Sequence, residues 1–228
     1  MNLIDEFESI LKKYTDAPPH FIRGCGYWLI SATMGKYIWF YETTHKYPWV
    51  NLYVVLSSDP GFTRRSTVIS CAKYVYRHAM RDFLEKTGKS AEEATLEVER
   101  RFCEEFTVEG LADRIAILPH PKEVVLTSDE LGAFLLRARG KYLLGSLSIL
   151  SKLYYAEGYV QALSTRGGKF GERVIPEGVY ATMLAGMQKP KLYMDKLSVQ
   201  QGLLRRLLLI CVDAKDLNAD NYLSLIHI

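Results

Sequence analysis

The sequence has few cysteines and no long hydrophobic run, and each absence excludes a class of protein. Its four cysteines, Cys25, Cys71, Cys103 and Cys211, are too far apart to suggest a disulfide framework or a zinc motif. No apolar run approaches the roughly 18 residues that span a bilayer, and acidic residues follow Met1 where a signal peptide would have basic ones. We therefore expect free thiols and a cytoplasmic protein.

Net charge is also low, and the remaining composition is that of a folded globular domain. Hydrophobic residues make up 48% of the chain and charged residues 24%, so disorder is not expected. The formal net charge of +3 is too small to indicate a nucleic-acid partner by itself. The chain is long enough for an α/β domain at residues 49–222 and an N-terminal helical extension at residues 1–48. A charge-dense, solvated helix is predicted at Ser90–Phe106, with Ser90 as its N-cap.

The stretch from Asn51 to Thr67 combines three predicted elements in the order strand, loop and helix. The apolar run Leu52–Leu56 leads into a turn containing Ser, Asp, Pro and Gly, and then into two arginines. Apolar residues next recur every three or four positions, which predicts a helix from Ser66 to about Lys86. Because backbone N–H groups at a helix N-terminus bind phosphate, this order is the local plan of a P-loop nucleotide site.

A second candidate element is the apolar run that starts at Glu123 and ends in the acidic pair Asp129 and Glu130. In phosphoryl-transfer sites an acid at a strand end holds Mg²⁺, and a following Glu can activate water. Two further core strands are predicted at Tyr180–Ala185 and Leu207–Val212. Alternating strands and helices predict an α/β fold with a mainly parallel sheet covered on both faces, and a site at the carboxyl edge of that sheet.

Together these segments resemble the helicase-like P-loop ATPases of phages, plasmids and other mobile elements, which often accompany a primase-polymerase module. The resemblance covers roughly Tyr14 to Val212 and rests on the order of several motifs. These motifs are P-P-x-F, N-L-Y-V-V-L with its P-G turn, F-T-V-E-G-L, S-D-E-L-G, M-L-A-G-M-Q-K-P and G-L-L-R-R-L-L-L-I. The resemblance implies a RecA/AAA-like P-loop NTPase fold, ATP and Mg²⁺ as cofactors, a homo-oligomeric ring, and DNA and a primase or other replication protein as partners.

The resemblance also assigns roles to individual residues. The nucleotide would be bound by the loop and helix start, which comprise Ser58, Asp59, Pro60, Gly61, Phe62, Thr63, Arg64, Arg65, Ser66 and Thr67. Ser66, or alternatively Thr67, and Asp129 would hold Mg²⁺, and Glu130 would activate water. Gln188 would sense the γ-phosphate, and Arg205 or Arg206 would stabilise transferred charge in its own subunit or across a ring interface. A basic turn containing Arg166 and Lys169, followed by Arg173, could face DNA, although a solvated turn is the commoner explanation.

The predicted loop departs from the usual pattern G-x-x-x-x-G-K-[ST]. Aligned on Ser66, the sequence has Arg65 at the lysine, Arg64 at the second glycine and Asp59 at the first. Arginine is larger than lysine and forked, and a side chain at position 64 limits how closely the backbone approaches phosphate. Three hypotheses therefore stay open: an ATP-hydrolysing motor, a degenerate module that binds without hydrolysis and has a structural or regulatory role on DNA, and a kinase or phosphotransferase.

The final residues, Leu223–Ile228, correspond to the translation of CTG TCT CTT ATA CAC ATC, which resembles a transposon-end adapter used in sequencing libraries. We therefore expect the natural sequence of this fragment to stop near Tyr222, and we give His227 no functional role.

Overall fold

One five-stranded parallel sheet organises the structure. The computed structural model describes residues 2–38, 40–42, 45–47, 50–59, 63–104, 107–137, 144–164, 170–188 and 202–213. The strands are β1 Phe40–Glu42, β2 His45–Tyr47, β3 Tyr53–Ser58, β4 Phe102–Cys103, β5 Glu123–Ser128, β6 Tyr159–Ser164, β7 Phe170–Ile175, β8 Tyr180–Met187 and β9 Leu207–Val212. The α-helices are α1 Leu3–Leu11, α2 Pro19–Met34, α3 Arg65–Lys86, α4 Ala91–Arg101, α5 Val108–Ala116, α6 Leu131–Arg137 and α7 Leu144–Tyr154.

The strand order in the sheet is β4-β5-β8-β3-β9, and every neighbouring pair is parallel. Strand β3 lies between β8 and β9, with Val55 opposite Ala185 on one side and Leu209 on the other. Parallel pairing brings the carboxyl ends of all these strands to one edge. The predicted mainly parallel α/β sheet is therefore confirmed.

The two faces of the sheet are covered by different helices because side chains alternate along each strand. Tyr53 and Val55 of β3 belong to the core that includes residues of α5, α6 and α7. Val54 and Leu56 point to the opposite face and belong to the core that includes residues of α1, α2, α3 and α4. The result is a three-layer arrangement of helices, sheet and helices.

The N-terminal helices share this second core with the sheet. Phe21, Ile22 and Trp28 of α2 are fully buried in the same cluster as β3. The Tyr180 hydroxyl at the start of β8 donates to the carbonyl of Ser31, 2.6 Å away, in the last turn of α2. The helices predicted before residue 49 thus pack directly on the domain that follows them. In the described part of the chain, no helix is both long and apolar enough to cross a membrane.

Two parts of the sequence interpretation need correction. The helix predicted over Ser90–Phe106 has Ser90 as its N-cap, as expected, but it ends at Arg101. Phe102 and Cys103 are buried and form the edge strand β4, because apolar side chains at this point can pack against β5. Arg101 is also not solvated: it is buried and pairs with Glu97 and Glu123. Strands β6 and β7, an antiparallel ribbon outside the main sheet, were not predicted.

Several smaller expectations have defined outcomes. All four cysteines are free thiols; Cys25 and Cys103 are buried, as free thiols commonly are, whereas Cys71 is half-buried and Cys211 is exposed. The helix predicted from Ser66 is confirmed as α3, and the strand predicted at Tyr180–Ala185 extends to Met187. The basic turn at residues 165–169 and the terminal segment 223–228 lie outside the described residues.

Candidate functional site

Three strands carry the predicted site residues to one edge of the sheet. Strand β3 ends at Ser58, β8 ends at Met187 just before Gln188, and β5 ends at Ser128 just before Asp129. The acidic strand is not the direct neighbour of β3, because β8 lies between them. This order places Gln188 between the end of the predicted phosphate loop strand and the acidic pair.

The two ends of the predicted phosphate loop are joined by a side-chain hydrogen bond. The hydroxyl oxygens of Ser58 and Thr63 are 2.5 Å apart, and both residues are buried. Asp59 follows the strand and is half-buried, whereas Pro60, Gly61 and Phe62 lie outside the described residues. The hydrogen bond fixes the distance between the point where the chain leaves β3 and the point where it approaches α3.

Arg64 is the residue from which helix α3 starts, and its backbone is left-handed, with φ 48° and ψ 27°. This conformation costs a residue with a side chain about 1–2 kcal/mol, and glycine adopts it readily. Arg64 occupies the position where the P-loop pattern has its second glycine. The backbone here therefore has a conformation that glycine favours, although the side chain is arginine.

The N-terminus of α3 is polar, accessible and without a side-chain cap within the described residues. The first N–H groups of a helix have no intrahelical acceptor, and here they belong to Arg65, Ser66 and Thr67. Ser66 and Thr67 are exposed, and the first turn contains no acidic residue. No acidic residue of the first turn therefore offsets the positive end of the helix dipole, which would favour a bound anion.

Arg65, the first residue of α3, reaches from this helix start to the ends of β8 and β5. Its guanidinium donates to the carbonyl of Met187 and, at 3.3 Å, to the carbonyl of Asp129. One of its nitrogens is also 3.6 Å from the carboxylate of Glu130. The side chain is only 13% exposed. Arg65 therefore bridges two strand ends from a position 64 residues earlier in the chain than Asp129.

The acidic pair leaves polar atoms beside this bridge. Among the described residues, neither the Nε atom of Arg65 nor the Oε1 atom of Glu130 has a hydrogen-bond partner, although both atoms are buried. Asp129 is exposed, and the Glu130 backbone N–H donates to the Ser128 hydroxyl at 3.3 Å. Buried polar atoms without partners are uncommon, so this edge of the sheet has unused capacity for hydrogen bonds.

The oxygen atoms at this edge suit Mg²⁺, which needs few protein ligands, better than a metal ion whose ligands all come from protein side chains. The described residues contain no cluster of three or more His, Cys, Asp or Glu side chains that could hold a metal ion. Mg²⁺ commonly uses one or two carboxylates and completes its shell with water and substrate phosphates. The exposed hydroxyl of Ser66 and the exposed carboxylate of Asp129 are donors of the right kind.

The backbone of Gln188 is hydrogen-bonded to β3, the strand that precedes the predicted phosphate loop. Its carbonyl accepts a hydrogen bond of 3.0 Å from the buried hydroxyl of Ser57, the penultimate residue of β3. Its half-buried side chain follows the end of β8, between the other two strands. Gln188 is thus placed at the same edge as the acidic pair.

Arg205 and Arg206 lie at the opposite edge of the sheet. They precede β9, which runs for six residues before it reaches the edge where β3 ends. At about 3.3 Å per residue the separation is roughly 20 Å, so neither arginine is brought to the site within one subunit. Arg206 donates to the carbonyl of Gly202 and stacks on Tyr155, with 4.7 Å between guanidinium and ring centroid, whereas Arg205 is exposed.

Two residues at this site were not identified from the sequence. A Cβ atom at Gly186 would lie 2.7 Å from the Nε of Arg65 and 2.8 Å from the carbonyl oxygen of Asp129. Asp16 lies 3.2 Å from the Nε of Arg64 and is distant from it in the chain. Gly186 lies inside the M-L-A-G-M-Q-K-P motif, so the sequence offered a signal by which it could have been identified. No sequence pattern links Asp16 to the loop.

Comparison with known proteins gives no matching family and no matching curated relative. The open parallel sheet with helices on both faces is consistent with a Rossmann-like or P-loop-like fold.

Proposed function

We propose that the chain is a P-loop NTPase domain that binds Mg·ATP at the carboxyl edge of its sheet and hydrolyses it. The observation that carries this proposal is the reach of Arg65 from the first turn of α3 to Asp129 and Glu130. It puts an uncapped helix N-terminus and an acidic pair within one side-chain length of each other. An anion-binding helix start beside carboxylates that can hold a cation is the arrangement a metal-bound polyphosphate requires.

Each residue at the edge has a distinct task in this proposal. The N–H groups of the first turn of α3 bind phosphate oxygens, and the Ser58–Thr63 hydrogen bond holds the loop in shape. Ser66 and Asp129 would hold Mg²⁺, which when bound supplies charge neutralisation between phosphate oxygens. Glu130 orients a water molecule and accepts its proton, and Gln188 senses the γ-phosphate from the end of β8.

A module that binds nucleotide without hydrolysing it is the second candidate, and one observation favours it. The guanidinium of Arg65 is occupied by the backbone carbonyls of Met187 and Asp129. The lysine of an ordinary P-loop instead contacts the β- and γ-phosphates. If Arg65 keeps its carbonyl contacts when nucleotide binds, the transferred phosphate lacks this positive charge.

Nucleotide binding and turnover by the full chain test the two candidates. We expect ATP to bind in the presence of Mg²⁺, with affinity reduced at least tenfold when EDTA is added. A Glu130→Gln variant should bind ATP as well as the parent and lose nearly all Mg-dependent turnover. Equal, background-level turnover in both proteins would support the binding module. If a folded chain showed no Mg-dependent nucleotide binding, both candidates would be rejected.

The wider role rests on the resemblance alone. We propose a helicase-like replication motor of a mobile element, acting in the cytoplasm with DNA and a primase as partners. In a ring of such subunits the exposed Arg205, at the edge opposite to the site, would be available to a neighbouring subunit. The rate of ATP turnover per chain should rise with protein concentration and fall in an Arg205→Ala variant; both results together would support this assembly. Turnover independent of concentration would contradict it.

A further inference from the structure

The ion pair between Arg64 and Asp16 lies at the start of α3. The Nε of Arg64 is 3.2 Å from a carboxylate oxygen of Asp16, and the two side chains are 46% and 38% exposed. Asp16 belongs to the turn between α1 and α2, two residues before the N-cap of α2. The pair therefore connects the N-terminal helices to the predicted phosphate loop.

An open cavity of about 410 Å³ lies beside this ion pair. It is lined by residues 12–16 together with Arg64 and Thr67. The charged groups facing it are Lys12, Lys13, Arg64 and Asp16, so positive charge exceeds negative charge. Lys12 is also paired with Glu8, at 2.6 Å. Since Thr67 belongs to the first turn of α3, the cavity reaches the turn whose N–H groups would bind phosphate.

We propose that Asp16 is a positioning residue, which holds the Arg64 guanidinium in the cavity until a phosphate-bearing ligand arrives and takes over the guanidinium. The inference rests on the proposed nucleotide site and adds a role for Arg64, one of the positions that depart from the P-loop pattern. The P-loop pattern has glycine, which carries no side chain, at the position of Arg64. The proposed exchange therefore depends on this departure from the pattern.

The physical basis is competition between a carboxylate and a phosphate for one cation. A partly exposed ion pair is weak because water screens it. A phosphate group carries more charge and more acceptor oxygens than a carboxylate, and it can bind the two arms of a guanidinium at once. Arg64 would then exchange Asp16 for the ligand, with its backbone remaining at the start of α3.

A double-mutant cycle on the full chain tests this exchange, with Mg·ATP and inorganic tripolyphosphate as probes. We expect Arg64→Gly to weaken binding of both probes about tenfold, because a cation that contacts phosphate is lost. We expect Asp16→Asn to tighten binding about threefold, because the competing carboxylate is removed. In the Arg64→Gly background, Asp16→Asn should change affinity by less than 1.5-fold, since no guanidinium remains to be released.

Controls separate this role from a structural one. Asp5→Asn removes a carboxylate that pairs with Arg23 on the same pair of helices, and it should leave both affinities unchanged. Melting temperatures show whether each variant is folded, and glycine suits the left-handed backbone at position 64. A purely structural Asp16 would lower the melting temperature and weaken binding in both backgrounds, which would overturn the inference.

The outcomes also separate this inference from the proposed function. If the parent chain binds both probes but the two substitutions change the binding free energy additively, Asp16 has no positioning role and the proposed nucleotide site is unaffected. If the folded parent binds neither ATP nor tripolyphosphate, the proposed function itself is wrong, and the inference is rejected with it.

Discussion

Replacing Arg65 with methionine should destabilise the protein moderately. Methionine has a similar length and no charge, so it retains most of the packing and removes the hydrogen bonds to the carbonyls of Met187 and Asp129. It also removes the 3.6 Å ion pair with Glu130. The variant thus tests whether the bridge between the ends of β8 and β5 contributes to folding.

The magnitude follows from what each contact contributes. A hydrogen bond from a charged group stabilises by about 1.5–3 kcal/mol, and the bond to Met187 is of this kind. The bond to Asp129 is long at 3.3 Å and contributes less. The pair with Glu130 contributes below about 1 kcal/mol because that carboxylate is 40% exposed. Removing the unpartnered Nε offsets about 1 kcal/mol, which leaves a net loss of about 2 kcal/mol.

Urea denaturation followed by circular dichroism measures this loss in free energy of unfolding. A loss of about 2 kcal/mol corresponds to a fall in melting temperature of roughly 4–8 °C for a chain of this size. Arg100→Met, at an exposed position of α4, is the matched control and should stay within about 0.5 kcal/mol of the parent. If both variants unfold like the parent, the contacts of Arg65 do not stabilise the fold and the reasoning is refuted.

Three further substitutions have defined outcomes. Gly186→Ala should destabilise by about 1–3 kcal/mol and weaken nucleotide binding, because its Cβ would lie 2.8 Å from the carbonyl oxygen of Asp129. Arg101→Met should destabilise by about 3 kcal/mol, since it leaves the buried carboxylate of Glu123 without one of its cations. Glu8→Gln should cost about 1 kcal/mol at pH 7, and this cost should shrink as the pH falls below the unfolded pKa of the carboxyl group, as measured by urea denaturation over a pH series.

The pH dependence of the last variant follows from the sign of the pKa shift. Hydrogen bonds from Lys12 and then Arg23 hold the pKa of Glu8 below its usual value. A carboxyl group whose pKa is lowered by folding stabilises the native state above its unfolded pKa, and that stabilisation is lost as the pH falls through the folded value. A difference between parent and variant that did not shrink as the pH was lowered would contradict this account.

Controls for the other two substitutions use the same chemical change elsewhere. Gly110→Ala lies inside α5, where the nearest atom to a new Cβ is the Thr107 hydroxyl at 3.5 Å. It should stabilise by about 0.5–1 kcal/mol through helix propensity. Equal effects of Gly186→Ala and Gly110→Ala would show that the close approach at the end of β8 does not matter. An Arg101→Met variant as stable as Arg100→Met would contradict the buried-pair argument.

The sheet was predictable because its strands are short apolar runs bounded by turns. Each strand combines a mainly apolar run with a flanking break; the four runs are Tyr53–Ser58, Glu123–Ser128, Tyr180–Met187 and Leu207–Val212. Strand β4 was missed because Phe102 and Cys103 follow a helix directly and are too few to form a recognisable run. Their strand conformation depends on pairing with β5, which no local pattern encodes.

The site was predictable only where neighbouring residues in the sequence form a recognisable motif. The acidic pair after a strand and the hydroxyl residues at a helix start are patterns of that kind. The pairing of Arg64 with Asp16 and the close approach of Gly186 to Arg65 depend on contacts between segments far apart in the chain. The separation of Arg205 from the site likewise follows from strand direction, which becomes known only when the sheet order is known.

The structure changes the meaning of the two arginines in the predicted loop. From the sequence, a side chain at position 64 was expected to limit how closely the backbone approaches phosphate, and Arg65 was not assumed to reach the phosphates as lysine does. In the structure they leave the helix start toward different neighbours, Arg64 to Asp16 and Arg65 to the ends of β8 and β5. Ser66 and Thr67 stay exposed between them. The departure from the glycine-lysine pattern therefore changes where positive charge is held, while the N–H groups at the helix start stay open to an anion.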